Sequence, residues 1–84
     1  MSYSLIQLAP GAYDLYRADT IVASVVRSGL RQPYTWTVEL LEDLPRSQRP
    51  SPFQDIEHSF PSLEELCAWL GHPPVKTNNR HISF

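Results

Sequence analysis

The sequence predicts an α+β fold, an antiparallel sheet of three to five strands with one helix, about residues 62–70, packed on one face. Three observations predict it. The first forty residues mix apolar and polar side chains in steps of two, one segment of the last third has helical spacing, and hairpin-length links separate the early runs. The 84 residues are expected to form a single domain over 1–84, because a unit of about 40 residues without disulfides or a metal rarely buries enough surface to hold together.

Tyr3 to Leu8 has no helical spacing and is stopped by Pro10-Gly11, so a short strand and a turn are expected. Tyr13, Leu15 and Arg17 then alternate with Asp14 and Tyr16. After Ala18-Asp19 comes Thr20 to Val26, dense in β-branched residues that fit a pleated surface. A tight turn at Ala18-Asp19 joins the two, with Asp19 the residue that tolerates positive φ. Beyond Ser28-Gly29, Tyr34, Trp36, Val38 and Leu40 point one way and Thr35, Thr37 and Glu39 the other, as a strand with one buried and one wet face requires. Links this short allow only antiparallel pairing.

From about residue 43 to 55 the prolines Pro45, Pro50 and Pro52 stand among Arg46, Ser47, Gln48, Arg49 and Ser51. Each proline removes a backbone donor, so neither a regular helix nor an interior strand can form there. A loop this long is expected to be functional or mobile. Phe53 and Ile56 are expected to pin its far end to the core, with Asp55 and Glu57 on the wet face of a short strand leading to Phe60. Ser62 and Glu65 then have the spacing of a capping box. Leu63, Leu66, Cys67 and Leu70 form one apolar stripe that must face the sheet, with Trp69 at its edge. Gly71 supplies a left-handed stop before Pro73-Pro74. In the tail, residues 72–84, Ile82 and Phe84 either dock as a last strand or fray.

Composition narrows the function. Apolar residues make up 42% and charged residues 19%, enough for a core, and the net charge of -2 denies the chain a global field for sequence-independent phosphate binding. A single cysteine, Cys67, closes no internal disulfide and points to a reducing compartment. No apolar stretch is long enough to cross a bilayer and the amino terminus lacks a signal-like pattern, so a cytoplasmic protein is expected. No cofactor or metal is expected, since His58, Cys67, His72 and His81 lack the local spacings of zinc sites. Cys67 lies beyond the first helical turn and on the buried stripe, where desolvation raises its pKa, so it makes a poor nucleophile. Adjacent Glu64 and Glu65 diverge by about 100° on a helix and cannot share a proton. With three glycines, none in a phosphate-cradling or nucleophile-elbow motif, an enzyme is not expected.

Charge is unevenly placed. Residues 36–70 hold seven acids against Arg46 and Arg49, a net of -5, between flanks of net +1 (residues 1–35) and +2 (residues 71–84). One helix covers one sheet face, and either Val22 with Val26 or Ile21, Ala23 and Val25 must then face away from it, leaving with Tyr16 an apolar strip. Together these features predict a non-catalytic interaction module acting through the open sheet face and the Pro-rich loop, on a protein partner or as a homodimer. Tyr16, Trp36, Arg46, Arg49 and Phe53 are the candidate binding residues, since aromatics and arginines dominate interface energetics; Trp36 is alternatively core. The arginines of the loop are expected to be dispensable for stability.

The segment from His58 to Leu70 carries Phe60, Ser62, Glu65, Ala68 and Trp69, the Phe-x-Ser/Thr-x-x-Glu opening followed by an Ala-Trp pair. In this it resembles the three-stranded sheet plus helix modules at the amino ends of phage-type integrases and the AP2-like DNA-binding domains similar to them. The resemblance implies the same architecture, and a second function: nucleic-acid binding, here through Arg17, Arg27 and Arg31. In those modules basic side chains on the open sheet face meet the duplex, whereas the corresponding positions here are Asp14, Thr35, Thr37 and Glu39, which cost affinity for phosphate. Nucleic acid is therefore the less expected partner.

Overall fold

The computed structural model describes residues 3–29 and 31–77. Strands β1 (Tyr3–Ala9), β2 (Ala12–Arg17), β3 (Thr20–Ser28) and β4 (Thr35–Leu40) form an antiparallel meander. A long connection with one 3-10 turn (Arg46–Gln48) leads to β5 (Glu57–Phe60), antiparallel to β4. Helix α1 (Leu63–Trp69) follows, and β6 (Val75–Thr77) closes the other edge. The sheet order is β5-β4-β3-β2-β1-β6.

The α+β expectation therefore holds in its coarse form and needs two corrections. Among the described residues the sheet has six strands rather than three to five, and β6 runs parallel to β1, with Leu5, Ile6 and Gln7 opposite Val75, Lys76 and Thr77. Hairpin logic fails at this link because α1 lies inside it. Between Phe60 and Val75 the chain has enough residues to cross the sheet and return in the same sense, the length a parallel connection needs. The expected docking of Ile82 and Phe84 falls outside the described residues.

The alternation in β4 appears as read, with Val38 and Leu40 buried and Trp36 half-buried against the same core. Tyr3 and Leu5 of β1, Tyr13 and Leu15 of β2, and Ala23 and Val25 of β3 share that face. Val22 breaks the pattern: Leu15 pairs with Ala23 and Tyr16 with Ile21, so Val22 has no partner on β2 and packs against the core. A bulge of this kind re-aims a side chain locally. Ile21 and Val26 remain 36% and 48% exposed.

The helix is bounded as its sequence dictates. Ser62 Oγ accepts the Glu65 amide at 3.1 Å, and Glu64 and Glu65 occupy the first turn, where the helix dipole favours acids. At the other end Gly71 has φ +88, its N–H reaches Ala68 O at 3.1 Å, and His72 N–H reaches Cys67 O at 2.7 Å. These are the two bonds of a Schellman motif, which satisfy carbonyls the helix leaves free. Leu66 is fully buried, Leu70 is buried, and Leu63 and Cys67 pack against the same cluster. No helix among the described residues is long and apolar enough to cross a membrane.

At the β2–β3 turn it is Ala18 that takes positive φ (+56), not Asp19. A Cβ in this region crowds the following carbonyl, at a cost of about 1–2 kcal/mol. Ala18→Gly is therefore expected to raise the unfolding free energy by about 0.5–1 kcal/mol, and Ser62→Ala to lower it by about 1 kcal/mol. Urea denaturation of the two variants, read as opposite shifts of the midpoint, checks both signs.

Candidate functional site

Two elements cover the core face of the sheet. Helix α1 packs over it from the β5 side, with Leu66 and Leu70 buried. The end that carries Tyr3, Leu5 and Leu40 lies against the Pro-rich segment, whose Pro50 and Phe53 are buried. There the Tyr3 hydroxyl donates to Ser51 O at 2.6 Å. The opposite end is left as an open groove of about 840 Å³, whose lining includes Tyr13, Arg27, Tyr34, Trp36, Ser62 and Glu64.

Each groove residue is placed by a specific piece of backbone. Pairing of β3 with β4 sets Arg27 opposite Trp36, and Trp36 in turn lies opposite Phe60 at the end of β5. Tyr13 comes from the next row on β2, and its ring centroid is 6.0 Å from that of Trp36. Arg27 lies across the β1–β2 turn: its N–H donates to Gly11 O at 2.8 Å, and a Cβ on Gly11, which has φ +81, would stand 3.1 Å from Arg27 Nε. Only glycine accepts both the conformation and the close approach. The Arg27 guanidinium carbon then sits 4.3 Å from the Tyr34 ring centroid, a cation–π arrangement that orients both groups. The start of α1 supplies the far wall with Pro61, Ser62, Leu63 and Glu64.

Among the described residues no buried side-chain nitrogen or oxygen lacks a partner. Among the described residues, the Trp36 indole N–H and the Tyr34 hydroxyl make no side-chain hydrogen bond. The groove thus combines aromatic surface, one cation and one anion, which suits non-covalent recognition of a chain that carries polar and complementary charged groups.

The five candidate residues are not brought together. Trp36 lines the groove. Tyr16 lies on the other face of the sheet, half-buried beside Ile6, Leu8 and Lys76. Arg46 is exposed in the 3-10 turn. Phe53 lies in the core: it is 5% exposed and meets the Trp69 ring edge-on at 5.0 Å, which fits the expectation that it pins the loop. Arg49 likewise serves the loop itself, donating from Nε to Leu44 O at 3.0 Å and from Nη1 to Gln54 O at 2.7 Å. Sequence reasoning assigned no site role to Tyr13 and Tyr34, and gave Arg27 only a phosphate-binding one. The usable signal is the Tyr34–Trp36 spacing, which puts both rings on one side of the chain as it enters β4.

The residues weighed for chemistry also separate. His58 lies half-buried on the core face of β5; its Nε2 accepts the amides of Gln54 at 3.3 Å and Asp55 at 3.1 Å, and its ring packs 4.7 Å from Trp69. Glu57, the neighbouring residue on β5, faces the other way. Burial, with the nearby Glu64 charge adding to it, pushes the Cys67 thiol above its ordinary value, which suppresses its thiolate. No group of three potential metal ligands occurs among the described residues. Arg17 ends β2, whereas Arg27 lies near the end of β3 beside Gly11, at the other end of that hairpin and roughly 20 Å away, so with Arg31 in a loop they make no continuous basic strip.

The chain matches no protein-family model, no curated protein and no solved structure.

Two outcomes follow from this geometry. Arg49→Ala is expected to cost about 1–3 kcal/mol through loss of its charge-assisted bonds, and Arg46→Ala to stay within about 0.5 kcal/mol; thermal melts of the two variants distinguish anchor from surface. Burial also pushes the Tyr3 phenol above 10.0, with Arg17 partly opposing. Because the folded state holds this proton more tightly than the unfolded state, the associated stability is complete below 10.0 and falls as pH rises toward the folded value. Urea titrations at pH 8 and pH 11 are expected to show this loss in the wild type and a smaller one in Tyr3→Phe.

Proposed function

We propose that the domain is a non-catalytic interaction module that seats a segment of a protein partner in the groove formed by Tyr13, Tyr34, Trp36 and Arg27. The observation that carries this reading is that one groove on the core face is lined by the rings of Tyr13, Tyr34 and Trp36 together with Arg27. Aromatic and arginine side chains are the residue types that dominate interface energetics, and their polar ends give orientation to what they bind.

Charge supports a protein rather than a nucleic acid as the partner. Across the open face, one row of paired positions runs Lys76, Ile6, Asp14, Ser24, Glu39 and Glu57, so three carboxylates accompany one ammonium group. Phosphate held against that row would be repelled more than attracted. The exposed apolar residues Leu8 and Val26 border it and add a second, weaker contact surface.

Selection from a random-peptide library displayed against the folded domain tests the reading. Enriched peptides are expected to bind the wild type and to lose at least about tenfold in affinity for Tyr34→Ala with Arg27→Gln, while that variant keeps the wild-type melting temperature. Peptides that bind both proteins equally would place recognition elsewhere.

A further inference from the structure

We infer that the occupant of this groove is an extended, proline-rich segment with an acidic residue toward one end and a basic residue toward the other. The inference rests on the interaction reading above and adds the chemistry of the ligand. It starts from the backbone donors available to an incoming chain. Strands β2 and β4 are interior in the sheet, so the ladder groups of Tyr13 and Trp36 are already paired with their neighbours. Three of the remaining wall residues, Pro10, Pro33 and Pro61, have no N–H at all. A β-strand therefore finds no ladder partner on β2 or β4, and the three prolines of the wall offer it no donor.

A polyproline II segment needs no such bonds. Its backbone carbonyls stay free for side-chain donors, its three-residue turn presents a flat ridge of proline rings, and it loses little entropy on binding. The groove offers the complement: Trp36 and Tyr34 faces for the ridge, and the Trp36 indole N–H, the Tyr34 hydroxyl and the Gln32 amide to meet carbonyls. The charges then define the ends. Arg27 is held against Tyr34 on the side of the β1–β2 turn, and Glu64 stands exposed at the first turn of α1. One cation and one anion across a groove favour a ligand with the opposite arrangement and give it a direction.

The test uses the full chain and three synthetic peptides: Asp-Pro-Pro-Leu-Pro-Pro-Lys, the same peptide with every proline replaced by alanine, and a Gly-Ser spacer between the same charged ends. The readout is the pair of tryptophan indole signals in a nitrogen–proton correlation spectrum. Trp69 serves as an internal control because it packs against Phe53, His58 and Phe60 instead of lining the groove. The expected result is a saturable shift of the Trp36 signal alone, with a dissociation constant between about 1 μM and 1 mM, weakened at least tenfold by the alanine peptide and by Tyr34→Ala. Tyr34→Phe, which keeps the ring and its packing, is expected to bind with intermediate affinity. Equal binding of the proline and alanine peptides, or a shift of Trp69 in place of Trp36, overturns the inference. Library peptides that depend on Tyr34 but lack proline overturn the proline chemistry and leave the interaction reading standing; a library without any Tyr34-dependent peptide removes both.

Discussion

Helix α1 is about 10–12 Å across, little more than two strand spacings, whereas the sheet beneath it is six strands wide. Its seven residues give it about 10 Å of length. One amphipathic stripe of this size cannot exclude water from the whole apolar face, and the rest of the molecule is arranged around that shortfall. The Pro-rich segment supplies the second cover, with Phe53 as its apolar contact and the Tyr3 hydroxyl as its polar one. Beyond these two covers, Arg27 and the half-buried Trp36 line the groove beside the buried Tyr13.

The two covers are joined by aromatic contact. Trp69 on the helix stands between Phe53 from the loop and Phe60 at the end of β5, and the His58 ring lies against it. His58 also closes the loop's far end by accepting two consecutive amides. Helix position and loop path therefore depend on one another. This is the physical reason that a proline-rich stretch with few backbone donors nevertheless follows one path: its carbonyls are held by Tyr3 and Arg49 and two of its amides by His58 in place of a backbone ladder.

The two sheet faces consequently differ in kind. The open face mixes carboxylates with scattered apolar residues, and its paired rows follow directly from the antiparallel register. The groove on the core face is balanced in charge and dense in aromatic surface. Arg27, which in a one-dimensional reading belongs with Arg17 and Arg31 as a basic group, is instead engaged with Tyr34 and the Gly11 turn. Of Phe60, Ser62, Glu65, Ala68 and Trp69, Ser62 and Glu65 serve the helix cap, and Phe60 and Trp69 meet ring against ring.

Local chemistry alone determined the four meander strands, the short strand before Phe60, the limits of the helix and the face each helical leucine takes. In each case the signal lies within a few residues: alternation in β4, Ser62 with Glu65, Gly71 before two prolines. Tertiary structure alone decided the parallel pairing of β6, the burial of Phe53, the role of Arg49 and the meeting of Tyr13, Arg27, Tyr34 and Trp36. These depend on strand register and on which surface remains uncovered once a short helix and a long loop have packed. Periodicity assigns a side chain to a face, but its neighbours on that face are set by contacts between distant segments, whose free energy no local run of sequence contains.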